Sequence, residues 1–75
     1  MVLHKQLRVL SRGTPCEIYN VHNKSCCAYH GSSNDILERL TSINSKYRDS
    51  FVKEVAISNE PDLALRIYVK LRETT

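Results

Sequence analysis

Glycine is scarce in this 75-residue chain: Gly13 and Gly31 are the only two, and neither has glycine neighbours. A loop that cradles phosphate with successive backbone amides needs several glycines close together, so that architecture is excluded. Charged residues never run beyond two positions, and Leu, Ile and Val are plentiful, which argues against a disordered chain or a polybasic tail. Nowhere do 18 apolar residues run together, so no membrane-spanning helix is expected. The opening "MVLHKQLRV" carries charge and lacks an apolar stretch, and no export signal is expected there. The three cysteines are an odd number and include the adjacent pair Cys26 and Cys27, so they cannot form a complete intrachain disulfide set. A reducing, cytoplasmic setting follows as the expectation. Internal repeats, low-complexity tracts and linkers are lacking, which makes residues 1–75 one small domain.

What is present suits a soluble fold: 41% of residues are hydrophobic and 25% charged, ordinary for a globular chain. A chain this short buries only a thin core, one sheet covered by one main helix. Self-association is a natural supplement at that size, and a second copy of the chain is a candidate partner. The net charge of +3 is mildly basic and by itself points only weakly to nucleic acid or an acidic protein.

The plainest element is "LALRIYVKL" at 63–71, where Leu63, Leu65, Ile67, Val69 and Leu71 share one parity and Ala64, Arg66, Tyr68 and Lys70 the other. Side chains alternate across a strand, so this segment has one dry and one wet face. "FVKEVAI" at 51–57 is rich in β-branched and aromatic residues, and the turn formers "SNEPD" at 58–62 join it to the last strand as an antiparallel hairpin. In the middle, Ile36, Leu37, Leu40, Ile43 and Tyr47 follow a helical stripe, with Ser32 or Ser33 as the cap and Asp35 in the first turn. That helix ends near Arg48 or continues towards Val55; the first option leaves the last strand a neighbour. "VLHKQLRVLSR", "CEIYNV" and "CCAYH" read as three strands separated by "GTP" and "HNKS". "Asn23-Lys24-Ser25" matches a glycosylation sequon but reads as part of a polar turn. The expected order is β-β-β-α-β-β, an α+β fold with a small antiparallel sheet packed on one helix.

His22, Cys26, Cys27 and His30 crowd into nine positions and invite a metal reading. Structural zinc sites draw ligand pairs from separate segments, and adjacent cysteines on a strand point to opposite faces, so no metal or other cofactor is expected. Thiol catalysis would need a base and an orienting group around Cys27, and no nucleophile-elbow context surrounds it. The cysteines read instead as small apolar residues.

One surface stands out. On the last strand the wet parity carries Arg66, Tyr68 and Lys70, followed by Arg72; read as a strand, the first segment carries Arg8 and Arg12 on its wet parity. Aligned in one sheet, these six residues form a basic face around Tyr68, with Tyr19 and Tyr29 as aromatics that could join it. Tyr and Arg dominate protein interfaces, so the leading expectation is a small non-catalytic protein that binds a protein partner as a regulator or inhibitor. The alternative is a nucleic-acid-binding domain using the same face, although the aromatic strand motif of RNA-recognition folds and any helix-turn-helix pattern are missing. A third reading is a small ribonuclease-type enzyme with His22 or His30 moving protons.

Overall fold

In a computed structural model the described residues build two helices and four strands, in the order α1 (Leu3–Val9), β1 (Pro15–Asn20), β2 (Asn23–Ser32), α2 (Ser33–Ser42), β3 (Phe51–Ser58) and β4 (Ala64–Lys70). The structure describes residues 1–43, 45–59 and 63–72. The fold is α+β. The strands lie side by side as β2-β1-β4-β3, antiparallel at β1/β2 and β3/β4 and parallel at the central β1/β4 pair. The sheet is therefore mixed where the sequence suggested a wholly antiparallel one. The expected hairpin between the last two strands is present, while Glu60, Pro61 and Asp62 of its turn lie outside the described residues.

Both helices cover one face of the sheet. Leu3 and Leu7 from α1 and Ile36 and Leu40 from α2 meet Cys16 and Ile18 of β1 and Ile67 and Val69 of β4 in one buried cluster. The central strands supply this core because only they have a neighbour on each side and a helix layer above. The alternation predicted for the last strand holds: Ile67 and Val69 are buried, Leu65 is half-buried, and Arg66 and Tyr68 point the other way.

Residues 3–9 form a helix, which corrects the expected first strand. Leu3, Leu7 and Leu10 recur at the spacing of one helical face; the first two are buried and the third packs against the core, while Val9 is 70% exposed. No side chain caps this seven-residue helix and no acidic residue lies in its first turn. Its free amides are taken up by the loop before β3: the Leu3 N–H donates to the Ser50 carbonyl at 2.9 Å and the His4 N–H to the Arg48 carbonyl at 3.2 Å. Tertiary hydrogen bonds and burial, not local propensity, hold α1 in place.

The second helix begins as expected, with the Ser32 hydroxyl accepting from the Asp35 N–H at 3.4 Å. It stops at Ser42, earlier than either expected end, and Ile43 is the C-cap and 66% exposed. The apolar stripe outlasts the helix because Tyr47 reaches the core from the following loop, where its ring meets Tyr29 edge-on at 5.6 Å.

Candidate functional site

Among the described residues no helix covers the second face of the sheet, and the strand register states which side chains share it. Cross-strand partners lie on the same face. One row runs His30, Glu17, Arg66, Ala56; the next runs Cys27, Tyr19, Tyr68, Glu54. The Cys16-Glu17-Ile18-Tyr19 alternation on β1 and the Arg66-Ile67-Tyr68-Val69 alternation on β4 create this face by burying every second residue.

At its centre the two tyrosines stack, with ring centroids 5.4 Å apart and planes 27° from parallel. Tyr19 and Tyr68 are direct partners across the parallel β1/β4 pair, so the stacking follows from register. Each ring also carries a cation: the Lys24 ammonium lies 5.2 Å from the Tyr68 centroid and the Arg66 guanidinium 5.9 Å from that of Tyr19. The Glu17 carboxylate ties the group together. It accepts the Tyr19 hydroxyl at 2.8 Å and pairs with Arg66 Nε at 3.3 Å. The hydrogen bond to Glu17, with some desolvation, pushes the Tyr19 pKa above its ordinary value and keeps the phenol a donor. At one end of the face Lys70 opposes Phe51, and the Arg72 guanidinium sits 5.3 Å from the Phe51 ring centroid.

Of the six residues expected on one surface, Arg66, Tyr68 and Lys70 share this face and Arg72 flanks it beside Phe51. Arg8 and Arg12 do not join them. Both are exposed on the helical layer, beside Asn34, Leu37 and Glu38 of α2, because their segment coils into α1 and leaves the sheet. Tyr19 joins the face as anticipated, whereas Tyr29 lies on the helix side with its hydroxyl 3.0 Å from Ser45 Oγ. Sequence reasoning missed Lys24, Glu17 and Glu54. The parity of "CEIY" would have placed Glu17 beside Tyr19; the approach of Lys24 depends on how the β1–β2 hairpin curls, which no local pattern states.

The cysteines and histidines are dispersed. Cys16 is in the core, where its thiol donates to the Thr14 carbonyl at 3.3 Å and burial raises its pKa. Cys26 is exposed, and Cys27 is half-buried beside Tyr19, its thiol donating to the Tyr29 carbonyl at 2.8 Å. Desolvation pushes the Cys27 pKa up as well, away from the thiolate a nucleophile needs. His22 is exposed in the β1–β2 turn and His30 lies across from Glu17. Among the described residues no three His, Cys, Asp or Glu side chains come together as a metal site, and no helix is long and apolar enough to cross a membrane.

Comparison of the chain with protein-family models, with curated proteins and with solved structures finds no match.

Proposed function

We propose that this chain is a small non-catalytic binding protein of a reducing, cytoplasmic setting. In this reading it occupies the surface of a protein partner, as a regulator or inhibitor, through its open sheet face. The observation that carries the reading is the Tyr19–Tyr68 pair locked between Lys24, Arg66 and Glu17. Tyrosine and arginine supply large amphipathic contacts, and holding them in place before binding lowers the entropy lost on association. The face carries Lys24, Arg66, Lys70 and Arg72 against Glu17 and Glu54, which suits a partner whose surface is mainly acidic with some basic groups.

The same cations favour nucleic acid as a second reading, since Lys24, Lys70 and Arg72 could track a phosphate backbone. The rings argue for protein. Base stacking needs a free aromatic face, whereas Tyr19 and Tyr68 present faces to each other and to Arg66 and Lys24. Stacking a base on either ring competes with these contacts.

The test is capture of partners from cell lysate, with and without nuclease, using the parent chain and a variant with Arg66, Tyr68 and Lys70 all changed to Ser. The expected outcome is a protein captured by the parent, retained after nuclease and lost with the variant. Direct binding to single-stranded RNA, falling steeply with salt and weakening with each cation removed, would support the nucleic-acid reading. Equal capture by parent and variant would remove the sheet face from consideration.

A further inference from the structure

The two edges of the sheet are built differently. Edge strand β2 is irregular: its register against β1 shifts on either side of Tyr19, skipping Ala28 and then Lys24 to Cys26. Such bulges and polar residues blunt an edge against pairing with another chain. The first half of β3 is also guarded. Val2 bridges Phe51, and the Val52 N–H donates to the Met1 carbonyl at 2.8 Å. The register then shifts at Lys53, between Val52 and Glu54.

Past that shift, from Glu54 to Ile57, no further guard occurs among the described residues. Glu54–Ser58 runs in unbroken register with Tyr68–Ala64 on its inner side, and β3 is the last strand of the sheet. Val55 and Ile57 oppose Ile67 and Leu65, which assigns them to the helix-side face, yet they are 45% and 65% exposed. The helices stop short of them. Ile57 also borders an apolar depression with Pro15, Leu63 and Leu65. A regular edge strand bearing exposed β-branched residues is a template for strand addition.

We propose that β3 pairs antiparallel with β3 of a second copy of this chain, about a two-fold axis at Ala56. The segment is self-complementary in that register. Val55 faces Ile57 of the second copy and Ile57 faces its Val55, so each exposed apolar side chain gains an apolar partner. Glu54 falls opposite Ser58 and Lys53 opposite Asn59, so no charge opposes a like charge. This self-matching is what selects a second copy as the occupant. The product is a continuous eight-stranded sheet with a closed, isologous interface. Because the axis is perpendicular to the sheet, both helix layers lie on one side and both Tyr19–Tyr68 faces on the other. The assembly presents two copies of the tyrosine face side by side, and the short pairing segment makes it a weak, concentration-dependent dimer.

Sedimentation equilibrium of the full chain over a concentration series tests this, with circular dichroism verifying the fold of each variant. The parent should pass from monomer to dimer as concentration rises. Val55→Lys with Ile57→Lys places lysine opposite lysine and should abolish the dimer. Val55→Lys with Ile57→Glu places lysine opposite glutamate at both pairs and should restore it. A parent that stays monomeric throughout overturns the proposal, as does a dilysine variant that dimerises like the parent. A lysine–glutamate variant that remains monomeric also overturns it, because the pairing at Ala56 is then wrong.

Discussion

Cys16, Cys26 and Cys27 differ only in where the chain puts them, and that decides their chemistry. Cys26 is exposed, Cys27 half-buried and Cys16 buried, so iodoacetamide should modify Cys26 first and reach Cys16 only on unfolding; mass spectrometry of timed samples checks the order. Burial raises the Cys16 pKa, so the folded state holds that proton more tightly than the unfolded chain, where a thiol ionises at about 8.5. The corresponding stability is complete below that pH and is lost as pH climbs through the higher folded value. Denaturant midpoints should therefore fall at alkaline pH, and less steeply in Cys16→Ala than in the parent. Neighbouring positions on β4 make the matching point for packing. Ile67 is fully buried, and its change to Ala should destabilise by roughly 2–5 kcal/mol. Arg66 pairs with Glu17 on the open face with its side chain 39% exposed, and its change to Ala should alter stability by no more than about 1 kcal/mol. Urea unfolding of the two variants measures both; equal losses would contradict a one-sided strand.

Among the elements, the two helices are specified in opposite ways. Helix α2 carries its own signals: the Ser32 cap, Asp35 in the first turn and the buried Ile36 and Leu40. Helix α1 carries few beyond Leu3, Leu7 and Leu10, and it is completed by carbonyls of Arg48 and Ser50 far along the chain. The junction of β2 and α2 depends on Gly31, whose φ of 137° is a conformation that side-chain-bearing residues rarely adopt. Among the described residues nothing lies within 4 Å of where its Cβ would stand, so a substitution there is opposed by the backbone conformation. Gly31→Ala should destabilise by more than about 1 kcal/mol through that strain, measured by urea unfolding, with the native circular dichroism retained.

For the whole molecule, the decisive fact is that the sheet separates two charged surfaces. Arg8 and Arg12 stand on the helical side, beside α2, and Arg66, Tyr68 and Lys70 on the open side. Changing Arg8 and Arg12 together to Ser should leave capture of the proposed partner within about twofold of the parent, since exposed charges remote from an interface act only through screened, long-range fields. Loss of capture equal to that of the Arg66, Tyr68 and Lys70 variant would show that the helical side is the working surface.

Four features were legible in the amino-acid order: the class of fold, the one-sided character of β4, the start of α2 and the final hairpin. Each rests on a local pattern: period-two alternation in 63–71, a cap followed by a helical stripe, β-branched runs either side of a turn. The tertiary structure alone decided that residues 3–9 coil, because "VLHKQLRVL" carries both a helical spacing in Leu3, Leu7 and Leu10 and an alternating one in Leu7 and Val9. A short segment with two periods takes the one that covers apolar surface, and the sheet needed a second helix over Ile18, Ile67 and Val69. The tertiary structure also decided that β1 lies parallel to β4. That pairing joins residues about fifty positions apart, and it brings Tyr19 to Tyr68 and Glu17 to Arg66. Local side-chain pattern states which face a residue takes on its own strand; which strand lies beside it is set by how the whole chain buries its core.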